Sequence, residues 1–178
     1  TLNCNDSRVG IVAGSLGSAS TITNVEFENV EGATAIIGAS FDTGKPVQAR
    51  IENTYYATLE GALAAEGNEV TLLVPYVVEA GKVVTLDLNG KVVSYTSNVP
   101  GEDMITVKGG TLIINDSKTG GKLTYANTDQ TASNVTVSTI SVEPSSTITV
   151  NGGIIENKTV KADGSAIYPY AIDILTNG

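Results

Sequence analysis

Residues 105–117 read "ITVKGGTLIINDS", residues 148–160 read "ITVNGGIIENKTV", and residues 84–93 give an earlier echo, "VTLDLNGKVV". Each phrase is a short run of β-formers, a glycine corner and a second β-run. Apolar residues alternate with polar or small ones at Val84, Leu86 and Leu88, at Ile105 and Val107, at Val135 and Val137, and at Ile148 and Val150. A period of two means that one face of each strand is buried and the other meets solvent. Strands this short bury little alone, so they must stack on their neighbours. The spacing from Gly90 to Gly110 is 20 residues and from Gly110 to Gly153 it is 43, which predicts stacked coils of about 21 residues. Gly110 and Gly153 are then expected at corners with positive φ, which glycine adopts at little cost. Asn89, Asn115, Asn151 and Asn157 are expected beside those corners, stacked along the axis.

Composition agrees with thin layers. Hydrophobic residues make up 41% of the 178 residues but aromatics only 5%, with no Trp and two Phe, so burial falls to Val, Ile, Leu and Ala. Ten Lys and Arg against nineteen Asp and Glu give a net charge of −9, which argues against nucleic acid and anionic membranes as partners. No apolar run is long enough for a membrane span, and no basic-then-apolar leader opens the sequence. Cys4 is the single cysteine and is expected to be structural.

One stretch departs from the strand pattern. In "TYYATLEGALAAEGNEVTLL", residues 54–73, Thr58 is a predicted N-cap, Leu59, Ala62 and Leu63 form an apolar stripe, and Gly67 lies just past the end. So short a helix needs a surface to lie on. The open end of the stacked strands supplies one.

The segment 47–93, with Ala49 to Leu59 leading into the helix and Leu86 to Gly90 closing the first coil, resembles the capping helix and first coil of pectate-lyase-like right-handed parallel β-helix repeats of bacterial exported and surface proteins. The likeness runs loosely on to residue 178. It implies an all-β fold, a right-handed parallel β-helix with a short capping α-helix. Residues 1–45, with "VGIVAGSLGSAS" leading into Ile22 to Val30, resemble the Gly-rich β-repeats of bacterial surface proteins. The expected division is therefore 1–45, the tail of a Gly-rich module, and 46–178, the cap and coils, with residue 178 reading as a coil cut short.

For function, the absence of histidine removes Ser-His-Asp, Cys-His and His-zinc chemistry. β-Helix lyases and hydrolases remain a class to weigh, but Asp87 and Asp116 have no carboxylate next to them in sequence, and Arg8 and Arg50 are the only arginines. The expected ligand surface comprises the loops at 94–103 and 126–134. Tyr95 and Tyr125 would offer a platform for sugar rings, and Glu102, Asp103 and Asp129 oxygen ligands. No catalytic residue, metal site or cofactor is assigned. The expectation is an extracellular or cell-surface bacterial module, monomeric and non-catalytic, for adhesion, display or spacing. Its partners would be host or microbial glycans or surface proteins. Two alternatives stand beside it, a polysaccharide lyase or hydrolase domain and a non-catalytic carbohydrate-binding module.

Overall fold

A computed structural model describes residues 21–22, 39–40, 48–52, 54–56, 58–128, 134–160 and 167–176. Near the N-terminus, β1 (Thr21–Ile22) pairs antiparallel with β2 (Ala39–Ser40). The rest of the expected first module, Cys4 included, lies outside the described residues. Next come β3 (Ala49–Ile51) and β4 (Thr54–Tyr56), an antiparallel pair, and α1 (Leu59–Ala64). The remaining strands are β5 (Glu69–Leu72), β6 (Tyr76–Val78), β7 (Val83–Asp87), β8 (Val92–Ser97), β9 (Ile105–Val107), β10 (Thr111–Asn115), β11 (Lys122–Asn127), β12 (Val135–Val142), β13 (Thr147–Val150), β14 (Ile154–Asn157) and β15 (Ile167–Ile174).

The fold is predominantly β, in parallel and mixed sheets. From β5 to β12 each strand pairs in parallel with the strand three places later, and α1 stands in for a strand before β5. One sheet runs β13-β10-β7, a second β14-β11-β8-β5-β3-β4, and a third β15-β12-β9-β6. The strands β7-β8-β9, β10-β11-β12 and β13-β14-β15 are thus three successive courses, each visiting the three sheets in the same order. Backbone hydrogen bonds also continue through the corners, as in Gly81 N–H to Gly109 O at 3.0 Å and Thr147 N–H to Gly110 O at 2.9 Å.

Register sets inward side chains above one another. Val84, Leu112 and Ile148 align, as do Leu86, Ile114 and Val150, Val93, Leu123 and Ile155, and Ile105, Ile140 and Ile172. Leu86, Leu112, Ile114, Val93, Leu123, Ile105 and Ile140 are fully buried, so the alternation seen in the sequence does mark the core face.

The 21-residue period is overturned. Residues paired between successive courses are 28 and 36 apart in the first sheet (Val83, Thr111, Thr147) and 30 and 32 apart in the second (Val92, Lys122, Ile154). A course has three corners, and the echoing phrases sit at two of them, Gly90 and Gly153 sharing one and Gly110 lying at another. Gly90 lies between β7 and β8, Gly110 between β9 and β10, and Gly153 between β13 and β14. The steps of 20 and 43 residues therefore count two corners and then four. Gly153 has the expected positive φ of 87°, but at the other corner Gly109, with φ 73°, takes that role. Gly110 is required by proximity instead, because a Cβ there would stand 2.6 Å from Glu79 O and 2.8 Å from Val78 Cγ1. The Asn stack forms at one step, where Asn151 Nδ2–H donates to Asn115 Oδ1 at 2.9 Å.

The helix forms where its sequence signals lie. The Thr58 hydroxyl accepts from Gly61 N–H at 3.1 Å, and Leu59, Ala62 and Leu63 are buried. Gln48 fixes the same end by accepting from Leu59 N–H at 2.9 Å. Because α1 precedes β5 as β7 precedes β8, it occupies the place of a missing strand and packs against β7, β5 and the β3–β4 pair. Tyr76, whose hydroxyl donates to Glu60, ties α1 to β6.

Leu63→Asp should destabilise the protein by about 3 kcal/mol, since an unpaired carboxylate would replace an apolar contact under the cap. Urea unfolding measures it, and a midpoint equal to the parent's would mean that α1 does not close the core. Gly110→Ala should cost about 1–3 kcal/mol by overpacking against the Glu79 carbonyl, read from the shift in melting temperature.

Candidate functional site

Of Tyr95, Glu102, Asp103, Tyr125 and Asp129, expected in or beside the loops at 94–103 and 126–134, Tyr95 lies in β8, Tyr125 in β11, and Glu102 and Asp103 between β8 and β9. Asp129 lies outside the described residues. The other four come together, though as the packed interior of a corner. Tyr95 and Tyr125 are only 8% and 0% exposed, so they offer no platform to a sugar. Strand alternation explains this. Both are inward residues, paired across β8 and β11, and their rings stack with centroids 5.8 Å apart at 12°.

The aromatic pair brings two hydroxyls into the interior, and each needs a partner. The Tyr95 hydroxyl donates to Glu102 Oε2 at 2.7 Å, and Ser97 Oγ–H donates to the same oxygen. The Tyr125 hydroxyl donates to the Glu102 carbonyl and accepts from Asn127 Nδ2–H at 3.1 Å. Asn127 Nδ2–H also donates to Val99 O at 2.8 Å. Burial pushes the Tyr125 hydroxyl up to about 12 and raises that of Tyr95, with the Glu102 carboxylate adding to the latter. Glu102 thus serves as the acceptor that lets two tyrosines lie inside a strand corner.

Asp103, one residue on, makes the link to the next course. Its Oδ1 accepts from Ser138 N–H in β12 at 2.6 Å. Burial raises its pKa, hydrogen bonds from Ser138 and Ser141 oppose the rise, and Asp173 on β15 adds to it. Asn127, which the sequence pairs with Asp129 as a source of oxygen ligands, completes this corner together with Ser97, Ser138 and Ser141, which were not singled out. For Ser97 and Ser138 the only signal is a polar residue at an inward position of an alternating strand, and Ser141, paired with Thr106 on the other face, has not even that.

The carboxylates weighed for hydrolysis meet at a different corner, between the first and second sheets. Asp87 Oδ1 accepts from Asn89 N–H at 2.9 Å and from Ser117 N–H of the next course at 3.0 Å. Asp116 reaches the opposite way, accepting from Gly90 N–H at 2.8 Å through Oδ1 and from Gly121 N–H at 2.8 Å through Oδ2. The two side chains lace successive courses together. The Ser117 backbone N–H, more than the Ser117 side chain, Asn89 or Lys118, holds the Asp87 carboxyl below the usual aspartate range. Asp87 also borders a cleft of about 320 Å³ between α1 and β7, lined by Glu60, Leu63, Ala64, Thr85, Asp87 and Asn89. Arg50 lies on β3, where Nη1–H donates to Glu52 O at 3.1 Å. Among the described residues no group of three or more His, Cys, Asp or Glu is arranged to hold a metal ion, and no helix is long and apolar enough to cross a membrane.

The raised Asp103 pKa gives a pH dependence of known sign. The folded state binds this proton more tightly than the unfolded chain, so the contribution is fully present below the ordinary aspartate pKa and is lost as pH rises through the raised value. Asp103→Asn keeps an acceptor for Ser138 N–H and removes the half-buried charge. At neutral pH the variant should melt at or above the parent's temperature, and the gap should close or reverse on acidification. A gap independent of pH, followed by calorimetry, would exclude Asp103 as its source. Tyr125→Phe should cost about 1 kcal/mol, for a lost interior hydrogen bond that leaves Asn127 short of an acceptor. No protein-family model matches the chain, and neither a curated protein nor a solved structure matches it.

Proposed function

We propose that residues 46–178 form a right-handed parallel β-helix capped by α1, and that it acts as a non-catalytic module for adhesion, display or spacing in a larger bacterial exported protein. The fold reading rests on the three-strand courses in parallel register and on the resemblance carried by residues 47–93. One observation carries the functional reading. Asp87, Asp116, Glu102 and Asp103, the acids around which a polysaccharide-cleaving site would be built, accept hydrogen bonds from the chain's own backbone and hydroxyl groups at the corners. A carboxylate held this way braces the corner, whereas glycosidic cleavage needs a pair of carboxyl groups open to the scissile bond. A stack tied at its corners is suited to keeping a fixed length and shape. Any glycan or protein ligand would meet the parts of 94–103 and 126–134 that follow β8 and β11, because strand side chains are fixed by the stack and loops are free to vary.

The test combines a glycan array with a lyase and hydrolase screen on uronic acid polymers. No release of unsaturated or reducing sugar ends is expected. Asp87→Ala and Asp116→Ala should each lower stability by about 1–3 kcal/mol, through backbone N–H groups left without acceptors. Sugar release abolished by either substitution, with melting unchanged, would make the protein an enzyme.

A further inference from the structure

The helical cap leaves one strand edge unpaired. The place over β7 in its sheet belongs to the segment before β5, as β7 itself comes before β8, and that segment is α1. A helix turns its backbone N–H and C=O groups onto itself, so α1 packs beside β7 without pairing with it. Among the described residues β7 pairs only with β10. Lys82 O accepts from Thr111 N–H and Leu88 N–H donates to Asn115 O, so the even-numbered residues here turn their backbone groups to β10. Val83, Thr85 and Asp87 turn theirs the opposite way, toward the cleft beside α1. Val83 is 70% exposed and Thr85 is exposed as well, so this edge is open to solvent.

An edge of this kind is completed by a polypeptide, whose own N–H and C=O groups match it. Charge decides which polypeptide. The two ionisable residues that line the cleft, Glu60 and Asp87, are both acids, and the chain as a whole carries a net charge of −9. A second copy would bring the same acids to the same place, which charge repulsion opposes. A basic segment meets them favourably. In either direction along β7, side chains in register with Thr85 and Asp87 fall on the outward face, within reach of the Asp87 carboxylate. The alternate side chains turn toward Leu63 and Ala64, which line the cleft, so small apolar residues suit those positions.

We propose that the cleft between α1 and β7 binds an extended basic segment of another protein, which adds to β7 as an edge strand and alternates Lys or Arg with small apolar residues. Backbone pairing supplies the attachment, and Glu60 and Asp87 select the charge. The loops at 94–103 and 126–134 belong to another corner, so the inference does not depend on the proposed adhesive role.

Fluorescence anisotropy with labelled peptides of about eight residues, a common strand length, tests it on the full chain. The probes are an alternating Lys–Ala peptide, its Glu–Ala counterpart, and a Lys–Pro peptide that keeps the charge but lacks alternate N–H groups. Only the Lys–Ala peptide should bind saturably. Thr85→Pro removes an amide donor that faces the cleft and no hydrogen bond to β10. It should weaken binding about tenfold, with the fold retained by circular dichroism. Ala64→Arg, at an exposed position of α1, should do the same by filling the cleft and adding positive charge, with β7 unaltered. Glu60→Gln keeps an acceptor for the Tyr76 hydroxyl and should weaken binding several-fold while reducing its salt dependence. Absence of Lys–Ala binding overturns the proposal. Equal binding of the Lys–Pro peptide does so too, because bulk charge attraction then accounts for the affinity, as does binding that survives Ala64→Arg and a folded Thr85→Pro.

Discussion

The side-chain column is the constraint on which the rest of this structure depends. A residue facing inward in one course must fit on the residue at the same register position in the courses before and after it, because paired strands are only about 4.8 Å apart. Leu86 under Ile114 and Val93 under Leu123 meet this condition with aliphatic side chains of similar size. The low aromatic content follows from it. Tyr76, below Ile105, and the Tyr95–Tyr125 column depart from it, and they require Glu60 in the first case and Ser97, Glu102 and Asn127 in the second to satisfy the hydroxyls. Register is protected for the same reason. A slip of one residue would turn every column inside out.

Corners carry the polar part of the same scheme. Backbone amides at a turn are not all consumed by the strand ladder, and here short acidic side chains collect them. Asp87 and Asp116 act reciprocally between two courses, while Asp103 reaches from the entry of β9 to β12. The cost of this arrangement is uneven. Asp87 sits among donors that favour its charge, whereas Asp103 is half-buried and is opposed by Asp173. Acidity in this chain therefore reflects several local needs for acceptors.

Strand identity and the capping helix were legible in the sequence. Alternation at Val84 to Leu88 and at Ile105 to Val107 marks buried positions directly, and Thr58, Leu59 and Leu63 announce α1 through local rules of capping and periodicity. The repeat length was misread because a course has three corners of similar chemistry, and an echo such as "ITV" before two glycines does not say which corner it occupies. The candidate site was half legible. Loop placement followed from the linear order of strands, but the inward direction of Tyr95 and Tyr125 depends on the phase of β8 and β11, and the alternation of Val93 and Leu123 contained that information. The Glu102 carboxylate finds Tyr95 and Ser97 five to seven residues away in its own course, whereas the partners of the Glu102 carbonyl and of Asp103 come from the next course, 23 and 35 residues on, which no local pattern encodes.

Courses of this fold differ in length while their strands stay in step. The first sheet advances by 28 residues and then by 36, and the surplus is shared between the connections and β12, which has 8 residues where β9 has 3. Loop closure grows only slowly more costly with length, so corners away from the Asp87, Asp116 and Asp103 contacts are places where extra sequence is thermodynamically cheap. The architecture thereby separates two kinds of change in descent or in design. Substitution within a column must be compensated above and below it, whereas insertion at a free corner can add a new surface feature without consulting the core.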